Sequence, residues 1–369
     1  TKTRGEREKL PKKPFHTLHQ MVKLAKRNLN QTSWDYLIGG TETETTVARN
    51  RQSLDSLAFK PRVLNDVSSI DTSTTFLKQR MSMPVLLAPV GSLQVFDPGG
   101  GATATKAAAD TGIMSIASSV CTPDVEEIAE ASDAAKVYQL YVRGDANWVD
   151  DIIRRVIDSG YKAFCLTVDT SVVSRRERDI AKGVTPTSPT SPGDMGYQAS
   201  LNWQDVERIK QKFDIPLILK GINTAEDAEK AVDHGVDVVY VSNHGGRQLD
   251  HGRGAIDLLP EVVDIVNGRA EIAFDSGICR GSDVVKAMAL GADAVGIGRL
   301  EAWALAAGGL EGLICCLQLL QKEISGTLAL LGVKDFSELD PTFITAASPV
   351  ASPSVVSAFP LLDLQDPGY

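Results

Sequence analysis

The segment AEDAEKAVDHGVDVVYV (225–241) decides the fold, because it recurs later in the chain as GSDVVKAMALGADAVGI (281–297). Each copy has a helical pattern, a glycine that stops the helix and an apolar run typical of a buried strand. The residues shared at equal places are Asp227/Asp283, Lys230/Lys286, Ala231/Ala287, Gly235/Gly291 and Asp237/Asp293. A repeated helix–strand unit predicts an α/β protein built from βα units.

Similar apolar runs extend this pattern to both sides, and helical stretches lie between them. The runs are VLLAPV (85–90), IMSIAS (113–118), VYQLYV (137–142), AFCLTVD (163–169), PLILKG (216–221), VVYVSNH (238–244), IAFDSG (272–277) and AVGIGR (294–299). Runs without polar alternation suit parallel strands that are covered on both faces. Eight such units predict a (β/α)₈ TIM barrel.

The rest of the chain is predicted to accompany the barrel. We expect an N-terminal helical segment over 1–80 that packs on a barrel over 81–335, and a C-terminal tail over 336–369. A second helix is predicted to be capped by Thr32 or Ser33 and to end at Gly39-Gly40, and the third is expected from about Thr43 to Leu57. The last helix is expected at about 309–325. The long loop after the fourth strand, GVTPTSPTSPGDMGYQAS (183–200), predicts a lid or an unstructured segment.

Composition narrows the class of protein. The formal net charge of −9 and the pI of about 5.2 disfavour a nucleic-acid partner. No signal-peptide pattern and no run approaching the ~20 apolar residues of a membrane span is read, so a cytoplasmic protein without a membrane partner is expected. The five scattered cysteines predict neither disulfides nor a zinc site, and no other residues have metal-ligand spacing. No Gly-x-Gly-x-x-Gly turn follows the first strand, so a dinucleotide fold is not supported.

Polar residues stand where nearly every predicted strand ends, which is where this fold builds its active sites. They are Ser118, Gln139, Tyr141, Thr167, Asp169, Lys220, Asn243, His244, Arg247, Asp275 and Arg299, with Arg175-Arg176 shortly after the fourth strand. Alternatives stay open for single residues: His244 as a structural histidine, Asp169 as a helix cap, Tyr141 as a core tyrosine, and one of Arg175 and Arg176 as a solvated residue. Convergence of so many ionisable groups nevertheless favours a functional rim, with Gly298-Arg299 placed to bind phosphate.

Five strings resemble one known family. SNHGGRQLD (242–250), LTVDT (166–170), QLYV (139–142), LKGI (219–222) and IGR (297–299) are similar to those of the FMN-dependent 2-hydroxy-acid oxidising enzymes. The resemblance runs from about Thr17 to about Asp335, and SNHGGRQLD is its most specific part. It implies an FMN-binding barrel and a homotetramer.

The resemblance also implies roles for individual residues. His244 is similar to the catalytic base, Asp169 to the carboxylate that orients it, and Tyr141 to a tyrosine at the reacting centre. Substrate contacts are implied for Tyr36, Arg176, Arg247 and Val120, where Val120 replaces a large aromatic residue and leaves room for a bulkier substrate. Cofactor contacts are implied for Pro89, Val90, Gly91, Ser118, Gln139, Thr167, Lys220, Ser242, Asp275, Gly277, Arg280, Gly298 and Arg299.

The predicted reaction is oxidation of a 2-hydroxy acid to the 2-keto acid by hydride transfer to FMN, with O₂ or another acceptor restoring the flavin. The chemistry needs a cofactor to take the hydride, a base near neutral pKa for the hydroxyl proton and planar cations for the carboxylate. Departures from the family pattern include Cys279 in place of an arginine, Ser276 for a glycine and Leu300 for a proline. Two alternatives stay open. One is another FMN barrel activity, either a monooxygenase-type oxidative decarboxylation or an isomerisation. The other is a non-catalytic flavin-binding relative.

Overall fold

Eight parallel strands close into a barrel in chain order. The computed structural model describes residues 13–183 and 195–362. The strands, named β1 to β8 here, are Val85–Leu87, Met114–Ser118, Lys136–Leu140, Ala163–Thr167, Leu217–Ile222, Val238–Val241, Glu271–Phe274 and Ala294–Ile297. The last strand pairs with the first, with Val295 opposite Val85. Each strand overlaps one of the predicted apolar runs, so the (β/α)₈ barrel is confirmed.

Helices precede the barrel and follow each of its strands. They are named in chain order α1 Leu18–Asn28, α2 Gln31–Ile38, α3 Thr45–Asp55, α4 Gly100–Thr111, α5 Val125–Glu130, α6 Ala146–Asp158, α7 Glu177–Ile180, α8 Met195–Ala199, α9 Trp203–Lys212, α10 Ala225–Asp233, α11 Ala255–Val266, α12 Gly281–Ala289 and α13 Arg299–Leu331. Residues 184–194 of the predicted lid lie outside the described part of the chain, and α7 and α8 flank them.

The sequence repeat has a structural reason. Gly235 and Gly291 follow α10 and α12 with φ of 72° and 99°, a left-handed conformation that lets the chain turn from helix to strand. The repeated aspartates then bind the start of the preceding strand. Asp237 accepts a hydrogen bond from the Leu217 N–H at 2.7 Å, and Asp293 accepts one from the Ile272 N–H at 2.7 Å. Each repeat therefore stops a helix and fixes the register of two neighbouring strands.

A short hairpin closes the N-terminal end of the barrel. Its strands, Thr74–Phe76 and Gln79–Met81, pair antiparallel, and Phe76 and Met81 pack against the apolar residues of the lower barrel interior. The Leu77 N–H donates to a carboxylate oxygen of Glu271 at 2.9 Å, which anchors the hairpin at the start of β7. The predicted N-terminal segment is thus not helical throughout. The predicted boundaries at 80 and 335 stay a prediction.

One prediction for the helices was wrong in detail. The cap of α2 is Asn30, whose side chain accepts from the Ser33 N–H at 2.8 Å, and not Thr32 or Ser33, which lie inside the helix. α13 spans Arg299–Leu331, but Gly308 and Gly309 inside it have non-helical backbone angles, so two helices meet there at a kink and the second covers the expected range of about 309–325. The tail also folds back, since Ile344–Ala346 pairs antiparallel with Leu57–Phe59.

By length and composition, α13 is apolar enough to cross a membrane, which corrects the prediction that no such run exists. Most of its apolar stretch is buried, and it packs against α1, α4 and α12. A long apolar helix that is covered by its own fold is a core helix. The five cysteines are all buried and unpaired.

Candidate active site

A cavity of about 320 Å³ opens at the C-terminal end of the barrel. Most of the predicted site residues line it. They are Tyr36, Pro89, Val90, Gly91, Val120, Tyr141, Arg176, Lys220, His244, Arg247, Asp275, Gly277, Gly298 and Arg299. The loops after the parallel strands meet at this end of the barrel, so residues far apart in the sequence share one wall.

A tight turn after β6 presents His244 to the cavity. Its backbone is left-handed, with φ of 58° at His244 and 64° at Gly245. The Asn243 side chain accepts from the Gly246 N–H at 3.2 Å, and the His244 N–H donates to Ser242 Oγ at 3.1 Å. A histidine tolerates this backbone region better than a β-branched residue does, and glycines absorb the rest of the turn.

His244 bridges two predicted partners. Its Nδ1 lies 3.0 Å from Asp169 Oδ1, and its Nε2 lies 3.1 Å from the Tyr141 hydroxyl. With the Asp169 carboxylate accepting the Nδ1 proton, Nε2 is left as the proton-accepting nitrogen. The imidazole is therefore oriented as a general base whose acceptor atom faces Tyr141 and the cavity.

Burial and charge set the protonation states of these three groups. Burial lowers the pKa of His244, and the Asp169 carboxylate offsets that shift only in part. Burial alone would raise the pKa of Asp169, but His244 and Lys220 bring it below its usual range, so Asp169 is ionised. Burial raises the pKa of Tyr141, which stays protonated. At neutral pH the site thus holds a neutral imidazole, a carboxylate and a phenol donor.

Two guanidinium groups lie over the ring of Tyr36. The Arg247 and Arg176 guanidinium carbons lie 5.0 Å and 5.9 Å from the ring centroid. Arg247 donates to the main-chain carbonyls of Tyr36 and Gly39, both at 2.8 Å. Burial, with Arg176 nearby, lowers the pKa of Arg247 to about 9. Within residues 13–183 and 195–362, neither arginine forms an ion pair with a carboxylate, so together they suit an anionic ligand.

Beneath the cavity, Lys220 and Asp275 form a buried ion pair at 3.2 Å. Ser242 connects them, because its hydroxyl accepts from Lys220 Nζ at 2.8 Å and donates to Asp275 Oδ1 at 2.5 Å. This arrangement places a cation and polar oxygens on the floor of the cavity.

A chain of side-chain hydrogen bonds connects β2, β3 and β4. Ser118 Oγ donates to Gln139 Oε1 at 2.8 Å, and Gln139 Nε2 donates to Thr167 Oγ1 at 2.9 Å. These three predicted cofactor residues and Ser242 are buried, and neither they nor the partly exposed Asp169 line the cavity. They form a fixed polar layer under the lining residues.

The cavity end at β7 and β8 holds Arg299. Its guanidinium donates to the main-chain carbonyls of Leu37, Gly39 and Gly245. Burial lowers its pKa to about 10. Among the described residues Arg299 has no carboxylate partner within ion-pair distance. A phosphate there would supply the missing negative charge.

Arg280 is the predicted cofactor residue that the structure does not bring to the site. Its guanidinium pairs with Glu323 of α13, and it does not line the cavity. Cys279, in contrast, does line it. Of the two neighbouring residues, the one that reaches the cavity therefore offers a thiol and not a guanidinium.

Sequence reasoning missed Arg51, which is 3% exposed and lines the same end of the cavity. Its Nη1 donates to the Gly277 carbonyl at 2.7 Å and pairs with Asp283 at 2.8 Å. Phe96, stacked on Tyr36 at 6.3 Å, and Val355 of the tail were missed as well. None stands at a strand end, so the pattern used above carries no signal for them. Gln248 was missed too, although it lies within SNHGGRQLD.

The cavity fits a flavin nucleotide. A Cβ on Gly298 would meet only Val90 at 3.7 Å, so this glycine keeps open space that a side chain would fill, whereas a Cβ on Gly91 would collide with Val120 at 2.7 Å because the two residues are closely packed. One end carries Arg299 for a phosphate, and the floor carries Lys220 for an electron-rich ring edge. In the described ranges no group of His, Cys, Asp and Glu is arranged to hold a metal ion. Fold and cavity together define a flavin-nucleotide barrel enzyme.

The chain belongs to the family of FMN-dependent dehydrogenases, whose sequence profile matches residues 25–346. It is 37% identical over 354 residues to an L-lactate oxidase from a Nostoc species, covering 89% of this chain and 97% of the relative. It is 37% identical over 345 residues to a glycolate oxidase from Spinacia oleracea, covering 88% and 94%. A crystal structure of mandelate oxidase with benzoyl-formic acid superposes with a TM-score of 0.85 at 34% identity, over 91% of this chain and 100% of that one. The predicted family and the FMN cofactor are confirmed.

Proposed function

We propose that this enzyme oxidises a 2-hydroxy acid to the 2-keto acid, with FMN as the immediate electron acceptor and O₂ as the terminal one, giving H₂O₂. The observation that carries the proposal is the placement of His244, held by Asp169 and facing Tyr141, in the same cavity as Arg176 and Arg247. The similarity to lactate and glycolate oxidases supports it.

Arg176 and Arg247 would bind the substrate carboxylate. A guanidinium offers two parallel N–H donors that match the two carboxylate oxygens, and both groups already lie on one side of Tyr36. Binding an anion there would also relieve the electrostatic cost that lowers the pKa of Arg247. The carboxylate thereby fixes the adjacent C2 and its hydroxyl in the cavity.

His244 would take the hydroxyl proton at Nε2. The imidazolium that forms is stabilised by the Asp169 carboxylate at Nδ1, and the Tyr141 hydroxyl can donate to the substrate oxygen. FMN, when bound, supplies the two-electron acceptor that no side chain offers. Lys220 would stabilise negative charge on the reduced ring from below, and Ser118, Gln139 and Thr167 would hold the polar edge of the cofactor.

The substrate we propose carries an apolar group larger than a methyl. Several walls of the cavity are apolar. They are formed by Val90, Phe96, Val120, Val173, Met195 and Val355. Val120 lines the cavity with a small side chain packed against Gly91, where a large ring would take up more of the cavity. Mandelate oxidase, a relative of this fold at 34% identity, is named for an aromatic 2-hydroxy acid.

A product assay tests the proposal. The purified FMN enzyme would be given lactate, glycolate, mandelate and long-chain 2-hydroxy acids in air, with O₂ uptake, H₂O₂ and acids quantified. One keto acid and one H₂O₂ per O₂ is the expected outcome. A carboxylic acid shortened by one carbon, with CO₂ and no H₂O₂, would instead assign oxidative decarboxylation. A yellow protein that turns over none of the panel would favour the non-catalytic relative.

We also propose a cytoplasmic homo-oligomer, with four subunits as the family resemblance suggests. An exposed apolar patch of Val63, Leu64 and Leu330 supports self-association. These residues lie together, because the Arg62 N–H donates to the Leu331 carbonyl and the Asn65 side chain donates to the Gly332 carbonyl. Light scattering of wild type and Leu64→Glu tests this. A monomeric wild type would contradict it.

A further inference from the structure

Tyr240 of β6 holds a hydroxyl inside the barrel that the mechanism does not use. The side chain is 0% exposed, and its hydroxyl lies close to the Asp275 carboxylate without forming a hydrogen bond of good geometry to any described residue. The ring lies under the cavity floor. A Cβ added to Gly296, which lines the cavity, would lie 2.1 Å from this hydroxyl and 3.2 Å from the Asp275 Cβ. The hydroxyl therefore sits one atomic layer below the cavity, beside Asp275.

A buried hydroxyl without a partner is costly. Its desolvation costs about 1–3 kcal/mol, and a phenylalanine would fill the same space without that cost. The glycine at 296 is also required, because any side chain there would collide with the hydroxyl. Two residues on neighbouring parts of the barrel are thus matched to keep a phenol at this place.

The surroundings of the hydroxyl show what it can act on. Lys220 Nζ lies 5.1 Å from the ring centroid of Tyr240 and 3.2 Å from Asp275 Oδ2. Asp275 Oδ1 already accepts from Ser242 at 2.5 Å and from Ser276 at 2.9 Å. The acceptor beside the phenol with remaining capacity is therefore the oxygen that faces Lys220. The phenol stays protonated and can only donate to a carboxylate.

We propose that Tyr240 is a positioning residue of the flavin site, whose hydroxyl donates to Asp275 in the FMN enzyme. By taking up part of the carboxylate charge, the phenol would leave more of the Lys220 charge acting upward on the flavin. Because the reduced flavin is the more negative form, this favours reduction. The inference rests on the FMN dependence of the proposed function but not on the identity of its substrate.

The Tyr240→Phe variant removes the hydroxyl and keeps the ring. If the flavin feels part of this charge-assisted hydrogen bond, its loss should lower the ratio of reduced to oxidised flavin about three- to tenfold at a fixed potential. For a two-electron couple this is a shift of about 15–30 mV to more negative midpoint potential. The measurement is the flavin midpoint potential of the FMN enzyme with a reference dye.

Tyr138→Phe is the matched control. Tyr138 is buried on β3, three strands away from Tyr240, at 4% exposure, and its ring packs outside the barrel against Tyr161 at 5.6 Å. Its loss should leave the flavin potential at the wild-type value. An unchanged potential in Tyr240→Phe, or equal shifts in both variants, would overturn the proposal, whatever happens to melting temperature. If the wild-type protein binds FMN but oxidises no 2-hydroxy acid, the proposed function is wrong, but the flavin midpoint potentials of the variants can still be measured and compared.

A second pair of variants tests where the hydroxyl lies. Gly296→Ala should weaken FMN binding by apoprotein, because its Cβ collides with the phenol oxygen. In Tyr240→Phe the nearest ring atom would be 3.3 Å away, so the double variant should recover most of the affinity. Fluorescence titration with FMN measures both. Additive losses in the double variant would show that the hydroxyl does not occupy this place.

Discussion

The two ends of one barrel differ in almost every property although the same strands build both. The interior changes from apolar to charged within two residues of a strand. On β5 the apolar Ile218 is followed two positions later by Lys220, and Ala273 of β7 is followed two positions later by Asp275. Side chains two positions apart lie on the same face of a strand, so these pairs form successive layers of the interior. The lower layer is apolar and sealed by Phe76, whereas the upper layer is charged and open to the cavity.

This difference separates stability from chemistry. The lower layer contributes apolar burial and needs no ligand. The upper layer holds buried cations whose pKa values are lowered, Arg247 to about 9 and Arg299 to about 10. Those charges are unfavourable until anions neutralise them. The FMN phosphate and the substrate carboxylate should therefore stabilise the upper end of the barrel and leave the lower end unaffected.

Substitution of His244 should have the largest effect on the chemistry. His244→Ala removes the base and leaves the lower layer intact, so FMN should stay bound. Flavin reduction by substrate should slow by about 10²–10⁴-fold. Anaerobic stopped-flow absorbance measures the rate, with His251→Ala, a histidine outside the cavity lining, as the control. Bleaching of His244→Ala at the wild-type rate would remove His244 from the mechanism.

A smaller effect is expected where charge is kept and geometry is lost. Arg247→Lys retains the cation but loses the fork that holds a carboxylate, so kcat/KM should fall by about 100-fold, the value of one to two charge-assisted hydrogen bonds. Arg175→Lys is the matched control, since the Arg175 side chain is 65% exposed and pairs with Glu177. Steady-state kinetics near wild type would show that Arg247 does not anchor the substrate.

The phosphate end of the upper layer should improve when its missing cation is restored. Cys279 lies in the cavity near Arg51 and Arg299, which disfavours a further charge in the apoprotein. With FMN bound, Cys279→Arg should tighten cofactor binding by about tenfold through one added charge-assisted hydrogen bond. Flavin fluorescence titration measures this, and Cys279→Ser controls for loss of the thiol. Weaker binding than in the serine variant would show that position 279 does not reach the phosphate.

The smallest effect on the chemistry is expected at the other end of the barrel. Phe76→Ala removes the buried ring that seals the lower layer, and should lower the free energy of unfolding by about 3–5 kcal/mol. Flavin reduction per bound FMN should nevertheless stay within about twofold of wild type, because Phe76 does not line the cavity. Denaturant unfolding measures the predicted loss of stability, and stopped-flow absorbance measures the rate of flavin reduction. A large loss of rate in folded Phe76→Ala would mean that the two ends are coupled.

The sequence predicted the barrel well because its signals are local. Each buried strand is an apolar run, and the repeat ending in Asp237 and Asp293 encodes both a helix stop and a strand contact. Gly308-Gly309 is likewise a local signal, because a kink separates two helices there. The wrong cap of α2 has a local cause too, since Asn30, Thr32 and Ser33 all precede Trp34 and compete for one cap position.

The site was predicted as far as it lies on strand ends. His244, Asp169 and Tyr141 lie together, as the family pattern implies. Arg51 and Val355 come from an N-terminal helix and the tail, and only tertiary packing brings them to the cavity. The Arg280 guanidinium faces Glu323, a partner that lies on a different helix and leaves no trace in the local sequence.

Flavin reduction followed against pH, anaerobically and with an (S)-2-hydroxy acid, tests the central claim most directly. Burial lowers the pKa of His244, so the imidazole is neutral over most of the range and becomes protonated only below its ordinary value of about 6.5. The flavin should bleach, and the rate should fall as pH falls, with a midpoint below 6.5. Asp169→Asn should move that midpoint lower still, because the carboxylate that favours the imidazolium is gone. No bleaching at any pH, or a rate that rises as the imidazole is protonated, would contradict the account.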